Sequence, residues 1–230
     1  MKIGGLQKTS LLDYPGEISA IIWTIGCNLR CPFCYNVDVV KQTVTPLSEN
    51  DVLSYLEKRR NVIDALVISG GEPLLQEDIV SFCEKVKGLG YLIKIDTNGT
   101  FPEKLKELVD KDLVDYIAMD VKAPKNKYNM LAGTKVDIKK IQKSIDIIRN
   151  SGVDYEFKTT FVPGLLVKED IVQIGMWLDG SEKFFLQQFK NNTATISSDL
   201  ENVTSYSKDD LLDALEEVKH FFKQCSVRGI

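Results

Sequence analysis

Six short β-rich runs alternate with helical patterns along this chain, and no other feature restricts its fold as strongly. The runs are Ile18–Trp23, Asp64–Ser69, Tyr91–Asp96, Asp115–Asp120, Asp154–Phe161 and Lys183–Phe189. Ser48 with Asp51 resembles a capping box and opens a helix over Asn50–Arg60. A second helix is expected over Gln76–Gly88, and Pro102 stands at the first helical position before Glu103–Val109. Asp137 caps Ile138–Asn150, with Gly152 to end it, and Lys168–Leu178 runs up to Gly180. Ser207 with Asp210 opens a last amphipathic helix through Phe222. Strand followed by helix in this way implies right-handed βαβ crossovers and a parallel sheet. Six strands suit either an open doubly wound sheet or an incomplete barrel, and periodicity does not choose between them. In both, functional residues belong at the carboxyl ends of the strands.

Composition narrows the function classes. A net charge of -4 argues against a broad basic face for nucleic acid. The longest apolar run, Ile18 to Gly26, is broken by Ser19 and Thr24 and falls short of the roughly 18 residues that a membrane helix needs. Met1-Lys2-Ile3-Gly4-Gly5 does not read as a secretion leader, so a cytoplasmic protein is expected, with residues 1–230 as a single domain.

The five cysteines are unevenly spread: Cys27, Cys31 and Cys34 share one loop after the first run, while Cys83 and Cys225 stand alone. The spacing C-x3-C-x2-C lets three thiolates wrap one metal centre in a reducing compartment. Iron–sulfur clusters normally take four cysteines, so three leave one iron of a [4Fe–4S] cluster open. Two alternatives are a Cys3His zinc site, for which only His220 is available, and three packed structural cysteines.

With Phe33 before its third cysteine, this loop resembles the signature of the radical S-adenosylmethionine (SAM) enzymes. Asp13-Tyr14-Pro15-Gly16, Tyr35-Asn36, Gly70-Gly71-Glu72-Pro73, Asp96-Thr97-Asn98-Gly99 and Asp120-Val121-Lys122 resemble segments of the glycyl-radical-enzyme activases. Within that group the chain is most similar to the anaerobic ribonucleoside-triphosphate reductase activating proteins, relatives of pyruvate formate-lyase activating enzyme. The resemblance runs from Lys2 to about Gly164. It implies an α/β fold, a partial (β/α)6 barrel of the radical SAM type.

The resemblance also carries site residues. Cys27, Cys31 and Cys34 match the cluster ligands, and Gly70, Gly71, Glu72 and Pro73 match the segment that binds the SAM amino group. Asp13 and Asn36 match polar positions beside SAM, and the backbone at Phe33 matches a position near adenine. Lys122 and Lys158 match basic residues that contact SAM. Asp96, Thr97, Ala118 and Asp120 match a monovalent-cation site, and oxygen-only ligation suits a hard cation. The ordinary reading of Asp96 is an Asn98-Gly99 turn cap, that of Asp120 a loop start, and that of Glu156, Lys158 and Thr160 an outward edge. The last run carries no histidine where pyruvate formate-lyase activating enzyme has one; Phe189 stands nearest, with Gln188 the nearest polar replacement. Cys83 reads as a small hydrophobe in mid-helix.

The implied function is reductive cleavage of SAM to a 5′-deoxyadenosyl radical, which takes a hydrogen from a glycine of a partner glycyl radical enzyme. A low-potential donor such as ferredoxin or flavodoxin would supply the electron. Two rival readings are a small-molecule enzyme similar to 7-carboxy-7-deazaguanine synthase and a non-catalytic Fe–S or zinc module.

Overall fold

A computed structural model describes residues 1–191 and 193–230. Its strands lie in one eight-stranded sheet in chain order: β1 (Ile3–Ser10), β2 (Ser19–Thr24), β3 (Ala65–Gly70), β4 (Leu92–Thr97), β5 (Tyr116–Asp120), β6 (Asp154–Phe161), β7 (Ser181–Gln188) and β8 (Phe222–Arg228). The helices are α1 (Val37–Lys41), α2 (Glu49–Arg59), α3 (Ile79–Gly88), α4 (Pro102–Asp110), α5 (Tyr128–Ala132), α6 (Ile138–Asn150), α7 (Lys168–Trp177) and α8 (Lys208–Glu216). β2 to β7 are the six expected strands, and the α/β class holds with a mostly parallel sheet.

The chain divides into two compact units. The first comprises residues 1–28, 38–118 and 140–154. In it β1 pairs antiparallel with β2, which pairs parallel with β3, and β3 with β4. Ala65, Leu66, Val67 and Ile68 are all buried, the unbroken apolar run of a strand covered on both faces. The leucine, valine and isoleucine each contribute about 1.5–3 kcal/mol when fully buried. Cys83 is wholly buried in α3 among such residues, as its mid-helix position suggests.

The second unit comprises residues 29–37, 119–139 and 155–230. Here β6, β7 and β8 pair in parallel. Glu156 of β6 has no exposed surface, so its strand face is not an outward edge. It is held by Arg228 of β8 through two hydrogen bonds of 2.5 and 2.8 Å, and the guanidinium lies 3.4 Å above the Phe185 ring centre of β7.

Several expectations are corrected. Two strands, β1 and β8, add to the six. The final helix ends at Glu216, and Phe222 starts β8 instead of closing a helix, which leaves His220 in a short 3-10 turn. The helix expected from Gln76 starts at Ile79, because Pro73–Leu75 forms its own 3-10 turn and Gln76 is extended. Ser48 precedes α2 without a side-chain cap hydrogen bond. The Ser207–Asp210 capping box is present, and Asp137 accepts from the Lys139 amide at 3.0 Å.

Candidate cluster and cofactor site

In the first unit the strand ends are tied together by hydrogen bonds. Glu72, fully buried, accepts from the Thr97 hydroxyl at 2.7 Å, the Asn98 amide at 2.7 Å and the Leu74 amide at 3.0 Å. Three donors offset the cost of burying a carboxylate. The Glu72 carboxylate thus fastens the end of β4 to the Gly-Gly-Glu-Pro segment. Thr97 also accepts from the Gly99 amide at 3.1 Å, which leaves one lone pair on its oxygen.

Two glycines bring that segment against the cysteine loop. Gly70 has φ +119°, and a Cβ there would lie 2.3 Å from the Thr24 nitrogen. A Cβ on Gly71 would lie 1.9 Å from the Gly26 carbonyl oxygen, an approach open only to glycine. The Glu72 amide donates to that same carbonyl at 2.9 Å. Pro73 is buried at the start of the 3-10 turn.

Cys27 lies one residue on. The side-chain nitrogen of Asn98, Nδ2, is 3.8 Å from its sulfur and 3.0 Å from the Asn28 side-chain oxygen. Asn98 Oδ1 accepts from the Thr100 amide at 3.0 Å and its hydroxyl at 2.6 Å, and the Asn28 amide donates to that hydroxyl at 2.9 Å. Lys94 donates to the Asp13 carbonyl at 2.6 Å and stands 3.6 Å from Asp96, its expected neighbour on one strand face. The Asp13 carboxylate takes the Ser10 hydroxyl.

The second unit carries charge at its strand ends. The same Asp120 oxygen faces Lys122 at 3.4 Å and Lys158 at 3.9 Å. The Val121 amide donates to the Lys158 carbonyl at 2.9 Å and Thr159 to the Val121 carbonyl at 2.8 Å, which fixes β5 beside β6. Ala118, at the end of the first unit's share of β5, is fully buried. Burial pushes the Cys31 thiol up to about 11, with Lys122 pulling it back. Burial also raises Cys34, against which the Asn36 amide and Lys122 act. For Lys122 burial acts downward, but Asp120, Cys31 and Cys34 outweigh it and keep the ammonium charged. Its nitrogen lies 5.9 Å from the centre of the buried Phe33 ring. Gln188 donates to the Tyr206 carbonyl at 2.6 Å, so one of its amide hydrogens is already committed.

The second unit's own stretch of the cysteine loop, which starts at Leu29, is anchored within that unit. The Arg30 amide donates to the Ala132 carbonyl at 2.9 Å, and left-handed Gly133 lies so near that a Cβ would be 2.0 Å from the Arg30 carbonyl. Among the described residues no three His, Cys, Asp or Glu side chains are already gathered as a metal site. The donor chemistry nevertheless fits an iron–sulfur cluster. In the second unit Lys122 favours the thiolate form of Cys31 and Cys34, and in the first a side-chain amide hydrogen points at the Cys27 sulfur. His220 is exposed on a separate turn, which disfavours the zinc alternative.

Sequence reasoning missed Asn28, Asn98 and Thr100 as a group, and Tyr128. Tyr128 is fully buried against Trp177, ring centres 6.0 Å apart, and burial raises its phenol beside Lys122. Its proximity to Lys122 has no sequence signal.

Residues 21–178 match the model of the Radical SAM superfamily. The chain belongs to that superfamily. A candidate glycyl-radical enzyme activating enzyme of Methanocaldococcus jannaschii is 36% identical over 197 residues, 84% of this chain and 81% of that one. The pyruvate formate-lyase-activating enzyme of Listeria monocytogenes is 35% identical over 134 residues, 53% of each. The crystal structure of Streptococcus suis SuiB superposes with a TM-score of 0.68 at 17% identity, covering 91% of this chain and 48% of SuiB, and supports the fold. The chain is a radical SAM enzyme, and its superfamily implies a [4Fe–4S] cluster and SAM. Among the described residues, no helix is long and apolar enough to cross a membrane.

Proposed function

We propose that this radical SAM enzyme activates a glycyl radical enzyme, and that its partner is an anaerobic ribonucleoside-triphosphate reductase. The observation that carries the activase reading is the 36% identity to an activating enzyme across most of both chains. The choice of reductase rests on the motif resemblance and on Phe189 standing where pyruvate formate-lyase activating enzyme has histidine.

In this reading residues 1–230 work as one cytoplasmic domain, and Cys27, Cys31 and Cys34 hold the cluster. Bound together, the cluster and SAM supply one-electron cleavage to methionine and a 5′-deoxyadenosyl radical. The chain's own residues bind and orient. Gly70 and Gly71 bring backbone groups close to the ligand, with Glu72 and Pro73 fixing their turn. Lys122 and Lys158 offer cations to a carboxylate, while Asp13, Phe33, Asn36 and Gln188 line the rest of SAM. Asp96, Thr97, Ala118 and Asp120 supply oxygen ligands for a monovalent cation. A ferredoxin or flavodoxin is the electron donor, and neither membrane nor nucleic acid takes part.

The test mixes the reconstituted, reduced enzyme and SAM with an anaerobic ribonucleotide reductase from the same organism. The expected result is a glycyl-radical doublet in the electron paramagnetic resonance spectrum, with 5′-deoxyadenosine formed alongside. Rapid 5′-deoxyadenosine formation driven by a small heterocycle, with no protein radical, would overturn the activase assignment.

A further inference from the structure

We infer that Asn98 is a positioning residue for the cluster: its side-chain amide donates a hydrogen to the Cys27 sulfur and raises the potential at which the cluster accepts an electron. The inference rests on Cys27 being a cluster ligand.

The orientation of the Asn98 amide follows from its neighbours. The backbone N–H of Thr100 can only donate, so the group 3.0 Å from it must be the Asn98 oxygen. The other end, the NH2, therefore faces Cys27 at 3.8 Å and Asn28 Oδ1 at 3.0 Å. Flipping the amide would set two donors against each other at Thr100. The Thr100 hydroxyl has its own direction fixed, because it receives the Asn28 amide at 2.9 Å and so gives its proton to Asn98. Asn98 is 5% exposed and Thr100 7%, so water competes weakly for these bonds.

The backbone is held too. The Asn98 N–H ends on the buried Glu72 carboxylate, and the Gly99 carbonyl takes the Ser144 hydroxyl at 2.7 Å. A donor fixed this firmly acts on charge that develops at the sulfur. Reduction adds negative charge to a cluster and its thiolates, and an N–H aimed at sulfur stabilises the reduced form more than the oxidised one. The network gives Cys27 a neutral amide donor, whereas Lys122 acts on Cys31 and Cys34 as a charge.

The experiment reconstitutes full-length wild-type, Asn98→Ala, Thr100→Val and Cys27→Ala chains anaerobically. For each it measures iron and sulfide content, circular dichroism and the midpoint potential by dithionite titration followed by electron paramagnetic resonance. Asn98→Ala should keep a four-iron cluster and show a lower potential, with the fraction reduced at a fixed poise falling several-fold. Thr100→Val should move the same way by less, and it carries the test alone if Asn98→Ala does not fold. Wild-type potentials in folded, cluster-loaded Asn98→Ala and Thr100→Val would overturn the inference while leaving Cys27 a ligand. A complete four-iron cluster in Cys27→Ala would instead overturn the ligand reading beneath it.

Discussion

The strand ends of the two units hold polar groups by different means. In the first, Glu72, Thr97, Asn98 and Thr100 are buried and joined by hydrogen bonds of 2.6–3.1 Å, largely to backbone amides and to one another. In the second, Asp120, Lys122 and Lys158 meet at 3.4–3.9 Å, as charges with some exposure. Short buried networks built on a carboxylate lose heavily when one member is removed, because an orphaned buried donor keeps its desolvation cost. Longer charge pairs that keep some exposure lose less, since water and salt replace part of the interaction. The first arrangement suits a scaffold that must not move, and the second suits groups that exchange partners when an ionic ligand arrives.

The comparison is broken most completely by removing the sulfurs. Changing Cys27, Cys31 or Cys34 to Ala should abolish both cluster and SAM cleavage, whereas Cys83→Ala or Cys225→Ala should spare them. Iron content and visible absorbance are the measurement, and a four-iron cluster in the Cys31→Ala protein would refute the assignment.

Next in size is Glu72→Gln. The Gln amide must turn its NH2 toward a donor, either the Asn98 amide or the Leu74 amide with the Thr97 hydroxyl. A loss of about 2–3 kcal/mol in denaturant unfolding is expected. An unchanged midpoint would mean that the first unit's network is no tighter than the second unit's charges.

Asp120→Asn should reverse that pattern. Stability should fall less than in Glu72→Gln, because Lys122 and Lys158 keep some exposure to water. SAM affinity, by equilibrium dialysis, should weaken about tenfold and lose its response to monovalent salt at constant ionic strength. Indifference of binding to both the cation and the carboxylate would return Asp120 to the role of a loop residue.

The smallest effect is a pH slope. Burial raises the Cys83 thiol to about 12 from an ordinary 9.0. The folded chain therefore keeps a proton that the unfolded chain releases, so stability falls as pH rises from about 9 toward 12. Cys83→Val should flatten this slope between pH 9 and 10.5, read as the difference between the two unfolding curves. Parallel curves would mean that the thiol titrates freely in the fold.

Much of this was legible in the residues. β2 to β7 are apolar runs with a helix or turn signal on each side, and periodicity finds them. β1 carries Gly4 and Gly5 and exposes much of its length, and β8 mixes Lys223, Gln224 and Ser226 with apolar positions. Neither has the pattern of a covered strand; sheet pairing makes them strands. Phe221 and Phe222 read as more of an amphipathic helix, yet they leave it. The cysteine loop and glycine turn announce themselves because their chemistry is local. The Asn28–Asn98 bond joins positions 70 apart in sequence, and local spacing does not reveal that kind of proximity.

The Arg228 clasp over Phe185 has a consequence for how the chain behaves in a crowded solution. β8 is the last strand of the sheet, and such a strand offers unpaired backbone groups on which another chain can polymerise. Arg228 is drawn back over Phe185 to Glu156, and Lys223 is paired with Glu182. An incoming strand meets two bulky cations that are already engaged, one of them neutralising a carboxylate with no contact to water. A cation at that rim disfavours pairing with a further strand, so the ion pairs that steady β6 to β8 also discourage fibre growth there.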